Sequence, residues 1–262
     1  MAKLRTLLAG AFAATLLAAP LAVPLAAPAF AQDEATMPNE SWSFENPFGT
    51  FDLAAAQRGL QIYGQVCSNC HSLKFLHYRD LAGIGLTPEQ IKAFAAQFTV
   101  PLGLDDQGNP KEGPALPASE FRSPYPNATA AAAVFNGAVP PDLSVMVNAR
   151  EGGPNYVYGI LTGFVNAPAG FKLQPGQYYN TMYPGHRIAM PPPLQDGTVQ
   201  YTDGTKATLH QEAHDVVTFL AWAANPEMVE RKQMGVRIVL FLIFMTGLTY
   251  AVKRKVWANV EH

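Results

Sequence analysis

The stretch Val66-Cys67-Ser68-Asn69-Cys70-His71 decides how the rest of the sequence is read, because it holds both cysteines of the 262-residue chain. Two cysteines separated by two residues and followed at once by histidine form the attachment pattern of a c-type haem. On one helical turn each thiol can add to a haem vinyl group, and the next residue offers its imidazole to the iron. The same cysteine spacing also occurs in redox-active dithiols and in half of a zinc site. A thioredoxin-like dithiol requires a preceding strand and a βαβ pattern, whereas the residues before Cys67 follow a helical period. A four-ligand zinc site needs two more cysteines or well-spaced histidines, and no such set is obvious. One covalently bound haem c is therefore the expected cofactor.

Haem iron that only passes electrons needs a sixth ligand. The candidates are Met146, Met182, Met190, His77, His186, His210 and His214. A thioether must be held by backbone rather than by its own flexible chain, and Pro191-Pro192-Pro193 fixes the chain directly after Met190. Met182 reads as core filler and Met146 at most as haem lining. His77 follows Cys70 too closely to reach the opposite face of the ring. His210 and His214 share one helical face at i, i+4 and read as solvated. The expected metal ligands are His71 and Met190, a pairing that raises the haem potential relative to two histidines.

The two ends of the chain point to export and to a membrane. Lys3 and Arg5, an Ala/Leu-rich run from Leu7 to Leu25 and the small-x-small site Ala29-Phe30-Ala31 predict a cleaved signal peptide over 1–31. Ile238 to Val252 is an apolar run closed by Lys253-Arg254-Lys255 and Trp257. Extended back through Met234, Gly235 and Val236, with Arg237 snorkelling, it reaches the roughly 20 residues a spanning helix needs. The expected organisation is a haem domain over 32–230, an anchor helix over 231–257 and a tail over 258–262. Flanking charge gives no orientation, but the signal places the head in the periplasm and the C-terminus in the cytoplasm, a single pass through a bacterial inner membrane.

Within the head the expected elements are mostly helical. Asp52 caps a helix running toward Cys67, and Thr87-Pro88-Glu89-Gln90 opens a second over Pro88 to Phe98. Residues 99–126 read as loop, Asn127 opens an Ala-rich helix stopped by Gly137, and short helices follow Pro141 and Pro154. The stretch 166–194 reads as irregular, and Val199 to Thr208, around Asp203-Gly204, reads as a hairpin. Thr208 to Gln211 is a capping box for a helix ending at Ala224, and Pro226 restarts a helix that runs into the membrane. The fold class is mainly α: a cytochrome c-like haem domain with long loop insertions, a small β-hairpin and one C-terminal transmembrane helix.

Several blocks are more specific than the haem motif. Arg58-Gly59-x-Gln61-x-Tyr63-x-x-Val66-Cys67-x-x-Cys70-His71-Ser72, Pro124-Tyr125-Pro126-Asn127 and Asn136-Gly137-Ala138-Val139-Pro140-Pro141-Asp142-Leu143-Ser144 resemble the cytochrome c1 family, haem subunits of cytochrome bc1 complexes. So do Tyr156 to Phe164, Ile188-Ala189-Met190-x-Pro192-Pro193, Asp203-Gly204-Thr205, Trp222-Ala223-Ala224-x-Pro226-Glu227 and Arg231-Lys232-x-Met234-Gly235. The resemblance implies that Cys67 and Cys70 hold the haem, that His71 and Met190 ligate iron, and that Arg150 faces a propionate with Tyr156 nearby. It implies that Pro140, Pro141, Leu161, Ile188 and Pro193 line the haem. Its implied partners are cytochrome b, a Rieske iron–sulfur subunit as donor and a soluble or membrane-bound cytochrome c as acceptor, in a dimeric complex. It implies no substrate chemistry on this chain itself. Some bacterial relatives carry an additional disulfide, for which this chain has no cysteine, so its 165–185 loops must hold their shape by Pro and packing alone.

Charge agrees with this reading. The net charge of -2 averages a basic signal, a basic anchor and a head with 10 Lys and Arg against 19 Asp and Glu. No block of Lys or Arg stands alone, which excludes a nucleic-acid binder. An acidic head at a membrane surface suits a basic soluble acceptor, steered by its field and weakened by salt.

Overall fold

Asp52, Thr87, Asn127 and Thr208 each accept a hydrogen bond from the backbone N–H three residues on, and each opens a helix. The computed structural model describes residues 36–260, so the expected signal, the start at Gln32 and the last two residues of the tail lie outside the described residues. In chain order the α-helices are α1 (Leu53–Gln65), α2 (Pro88–Ala95), α3 (Ala128–Val134), α4 (Gly153–Thr162), α5 (Leu209–Ala224) and α6 (Met228–Val256). Short 3-10 segments cover Cys67–Asn69, Tyr78–Ile84 and Pro184–His186. The strands are β1 (Thr99–Leu104) and β2 (Pro110–Pro114), which pair antiparallel, and β3 (Tyr178–Tyr179) and β4 (Arg187–Ile188), which form a second, two-residue ladder.

The centre of the head is the crossing of α1 and α5. Gly59 makes it possible: a Cβ there would stand 2.1 Å from the Asp215 carbonyl oxygen and 2.7 Å from Phe219 Cβ. Beside this contact the Arg58 guanidinium clasps buried Asp215 through Nε at 2.8 Å and a second nitrogen at 3.0 Å, and reaches Asp203 at 3.0 Å. A planar guanidinium matches a carboxylate in this two-pronged way, which fixes the angle between the helices as well as their distance. Leu60, Ile62 and Tyr63 of α1 and Val216, Val217, Phe219, Leu220 and Trp222 of α5 fill the core. Tyr78, Phe94, Phe98 and Phe121 extend it as an aromatic cluster, with Tyr78 stacked on Phe121 at 4.4 Å.

Several sequence expectations are corrected by how backbone groups are used. Residues 99–126, expected as loop, contain the β1–β2 hairpin. Pro101, Pro110 and Pro114 argue against strand, yet a two-stranded ribbon has open edges that tolerate proline, and the register slips between Pro101 and Leu104. Asp105 organises the turn by accepting from the N–H groups of Gln107 and Asn109. The hairpin expected over Val199 to Thr208 is instead a turn. Its ladder groups are taken by the helices: Val199 N donates to Glu212, and the Gln200 carbonyl accepts from Gln61. Helix α2 ends at Ala95 rather than Phe98, since Phe98 turns into the core and its carbonyl accepts from Ala115. Pro141 is followed by successive turns, not a helix, because the Asp142 carboxylate and Leu143 N bond to the segment after His71. The Thr208 box is half made, with Gln211 turning to Asp215.

Helix α6 is 29 residues long, touches the core only through its half-buried first residues Met228 and Val229, and is long and apolar enough to cross a membrane.

Candidate functional site

The haem-motif residues sit where α1 ends. The helix closes at Gln65, the chain tightens into the 3-10 turn Cys67–Asn69, and the N–H groups of Cys70 and His71 both donate to the Cys67 carbonyl. Ser68 is turned inward and its hydroxyl donates to the Gly64 carbonyl at 2.8 Å, tying the turn to the last helical turn of α1. Both cysteines lie on this one turn and form no disulfide. Burial, reinforced by Cys70, pushes the Cys67 thiol up to about 12. A redox-active dithiol depends on a lowered thiol pKa, so the environment is wrong for that chemistry.

His71 is oriented from its far side. Its Nδ1 lies 2.8 Å from the Pro141 carbonyl oxygen. A carbonyl only accepts, so Nδ1 carries the proton and Nε2 keeps its lone pair. This is the arrangement by which proteins fix a metal-binding imidazole. Burial lowers the His71 pKa, against opposing contributions from the Pro141 carbonyl and the Asp142 charge, and so favours the neutral ring that binds metal. The His71 carbonyl accepts from the buried Tyr63 hydroxyl at 3.1 Å. Two thiols on one turn and an imidazole with Nε2 available are the donor set a covalently attached haem requires, and the residues present fit that group.

The Pro141 carbonyl is held by residues that sequence reasoning overlooked. Asp142 accepts from the Ser72 hydroxyl at 2.6 Å, from Lys74 N at 3.0 Å and from Ser144 N at 2.9 Å. Ser144, fully buried, accepts from Phe75 N at 3.1 Å, and Leu143 N donates to the Ser72 carbonyl at 2.9 Å. The Pro-Pro-Asp-Leu-Ser block is thus a clasp over residues 72–75, directly after the imidazole. Burial alone would raise the Asp142 pKa, but the bonds from Ser144, Ser72 and Lys74 outweigh it and hold the carboxyl below its usual range. The signal in the sequence was an Asp-x-Ser pair after two prolines, a spacing at which Asp bonds the N–H two residues on.

The other nominated residues fall into two groups. Arg150 is exposed, donates to the Ala149 carbonyl at 3.2 Å and lies beside the half-buried Tyr156 hydroxyl. Burial raises the Tyr156 pKa, and the Arg150 charge partly offsets it. Leu161, Ile188, Met190 and Pro193 belong to the second group, around α4 and the β3–β4 ladder. Leu161 packs against the core and lines an open cleft of 490 Å³ with Phe164, Tyr179 and Pro192. Ile188 is buried opposite Tyr178, Met190 follows two residues on and is half-buried, as are Pro193 and Pro140.

Asn180 joins these elements, and no sequence signal singled it out. It is fully buried, donates to the Ile160 carbonyl at 2.8 Å and accepts from Met182 N and Tyr183 N. Its own carbonyl faces His186 Nδ1 at 3.1 Å. Arg187 stacks over Phe171 at 4.4 Å and donates to the Lys172 carbonyl. The 165–185 region is therefore held by a buried amide and a cation–π contact as well as by Pro and packing.

The remaining histidines have other partners. His77 opens the Tyr78–Ile84 segment and its N–H donates to Asp80. The face carrying His210 and His214 is not simply solvated: His214 stacks on Trp42 at 4.7 Å, and His210 Nδ1 lies 2.7 Å from the Tyr158 hydroxyl. Met182 packs near Gly159, as filler, and Met146 packs against the core. Among the described residues no group of three or more His, Cys, Asp and Glu could hold a metal ion.

Comparison with known proteins agrees with this geometry. Residues 42–260 match the Cytochrome C1 family. The chain is 40% identical to a cytochrome c1 of Rhodospirillum rubrum over 243 residues, covering 87% of this chain and 89% of the relative. It is 44% identical to the mitochondrial cytochrome c1 haem protein of Saccharomyces cerevisiae over 225 residues, covering 86% and 73%. A cytochrome b/c1 of Bradyrhizobium diazoefficiens is 43% identical over 244 residues, which cover 85% of this chain and 36% of that longer protein. With the thiol pair, the oriented imidazole and the match over nearly the whole described region together, the chain belongs to the cytochrome c1 family.

Proposed function

We propose that this protein holds one haem c covalently and passes single electrons from a Rieske iron–sulfur subunit to a cytochrome c, within a dimeric complex that also contains cytochrome b. Family membership supports the coarser part of this reading, a haem-carrying electron-transfer subunit of a bc1 complex. The observation that carries it is the 2.8 Å contact between His71 Nδ1 and the Pro141 carbonyl, beside two cysteines on one turn. Bound haem would supply a one-electron iron couple, and Cys67 and Cys70 would tether it while His71 and Met190 would hold its iron.

The chain's own residues position and shield rather than react. Pro141 fixes the imidazole plane, and the Asp142 clasp fixes Pro141. An imidazole held in this way would need little rearrangement on electron transfer. Asn180 holds the segment leading to Met190 against α4. Arg150, beside Tyr156, would donate a charge-assisted bond to a propionate. The boundaries we assign are a signal over 1–31, a periplasmic haem domain over 32–230, an anchor over 231–257 and a cytoplasmic tail over 258–262.

Mild detergent extraction of the full chain tests the assignment. Cytochrome b and an iron–sulfur protein should co-purify in stoichiometric amounts. Recovery of a haem protein without either would overturn the bc1 reading, and electron transfer to a basic cytochrome c that ignores ionic strength would overturn that acceptor.

A further inference from the structure

The loop ahead of α1 is fastened to the start of α6 by a single side chain. Lys232 Nζ donates to the carbonyl oxygens of Phe44 at 2.5 Å, Asn46 at 2.7 Å and Gly49 at 3.3 Å. One ammonium has three donors, and here all three serve one loop. Gly49 is needed for the tight path, since a Cβ there would stand 2.6 Å from the Ser43 carbonyl. Phe44 and Phe51 point into the core, each 7% exposed. Phe48, between the two clamped carbonyls of Asn46 and Gly49, is 81% exposed and follows Pro47.

The helix arithmetic gives the depth of this loop. Met234 to Val252 is 19 residues, about 28 Å of helix, close to the roughly 30 Å hydrocarbon layer. Lys232 lies two residues before that stretch, about 3 Å further along the axis. That is the headgroup layer, where Lys and aromatic side chains are favoured. A large exposed aromatic ring tied to that level matches a lipid interface.

We propose that the loop Glu45–Phe48 is a second membrane contact, with Phe48 inserted at the lipid headgroup boundary and Lys232 acting as the positioning residue that sets its depth. The inference rests on the reading of α6 as a membrane anchor. A second contact beside α6 ties the head to the bilayer through the loop as well as through the helix.

The test uses full-length holoprotein in vesicles of equal parts phosphatidylcholine and phosphatidylglycerol. Phe48→Cys and, separately, Ile243→Cys carry a nitroxide, with labelled parent protein as background. Collision with oxygen, which partitions into lipid, is compared with collision with a water-soluble nickel chelate. The Phe48 label should show an oxygen-to-nickel ratio several-fold above that of free nitroxide in buffer and below that of Ile243 in mid-helix. Lys232→Met should return the Phe48 ratio toward the aqueous value and leave Ile243 unchanged. An aqueous ratio at Phe48 with a lipid ratio at Ile243 would overturn the second contact while leaving the anchor intact. A label shielded from both reagents would show a protein surface there instead, and would overturn it equally. Aqueous ratios at both positions would overturn the anchor itself. A Phe48 ratio unmoved by Lys232→Met would overturn the role given to Lys232.

Discussion

Asp142→Ala removes the acceptor at the centre of the clasp over residues 72–75. Three bonds are lost, from the Ser72 hydroxyl, Lys74 N and Ser144 N. A hydrogen bond to a charged group nets about 1.5–3 kcal/mol, but Asp142 is only half-buried and its donors partly regain water. About 1 kcal/mol per bond gives roughly 2–4 kcal/mol in total. For a domain of this size each kcal/mol moves the melting temperature by about 2–4 °C, so a fall of roughly 5–15 °C is expected. The assay is thermal unfolding of the holoprotein in detergent, followed by far-UV circular dichroism. Asp142→Asn keeps one acceptor and should recover part of the loss. The pH dependence has a definite sign. Because the folded carboxyl titrates below its unfolded value, its contribution is complete above about pH 4 and is lost as pH falls through the lower folded value. The parent should therefore show a steeper acid limb than Asp142→Asn. A melting temperature for Asp142→Ala within about 2 °C of the parent would refute the clasp, since that corresponds to less than one of the three bonds.

Gly59→Ala should cost at least about 3 kcal/mol, the upper range for overpacking, because the new methyl meets backbone at 2.1 Å where nothing flexible can give; a urea midpoint equal to the parent's would contradict the α1–α5 contact. Glu212 is fully buried with Oε2 unpartnered, and burial raises its pKa despite the bond from Val199 N. A carboxyl with a raised folded pKa loses stability as pH climbs from its unfolded value through the folded one, so Glu212→Gln should flatten that slope and gain relative stability at neutral pH; parallel stability–pH curves would count against it. Met190→Leu should leave haem attached but lower its potential, and an unchanged midpoint and visible spectrum in a redox titration would show that another residue ligates.

What could be read from the sequence was local. Asp52, Thr87 and Asn127 announce helices because a cap needs only its own next three residues. The Cys67–His71 motif is legible for the same reason, since one turn carries the whole tether. The β1–β2 hairpin is hidden in the sequence because its prolines argue for loop, and 199–208 only looks like a hairpin, because Glu212 and Gln61, distant in sequence, take its backbone groups. Ser72, Asp142, Ser144 and Asn180 are ordinary polar residues taken singly. Their roles come from partners tens of residues away or from complete burial, which periodicity does not encode.

The central claim is that Cys67 and Cys70 would hold a haem covalently. Mass spectrometry of the proteolytic peptide spanning residues 67–71, taken from acid–acetone-washed full-length protein, tests it most directly. The account predicts a peptide heavier by one haem, with neither thiol open to alkylation. A peptide of bare mass with both thiols alkylated would contradict it.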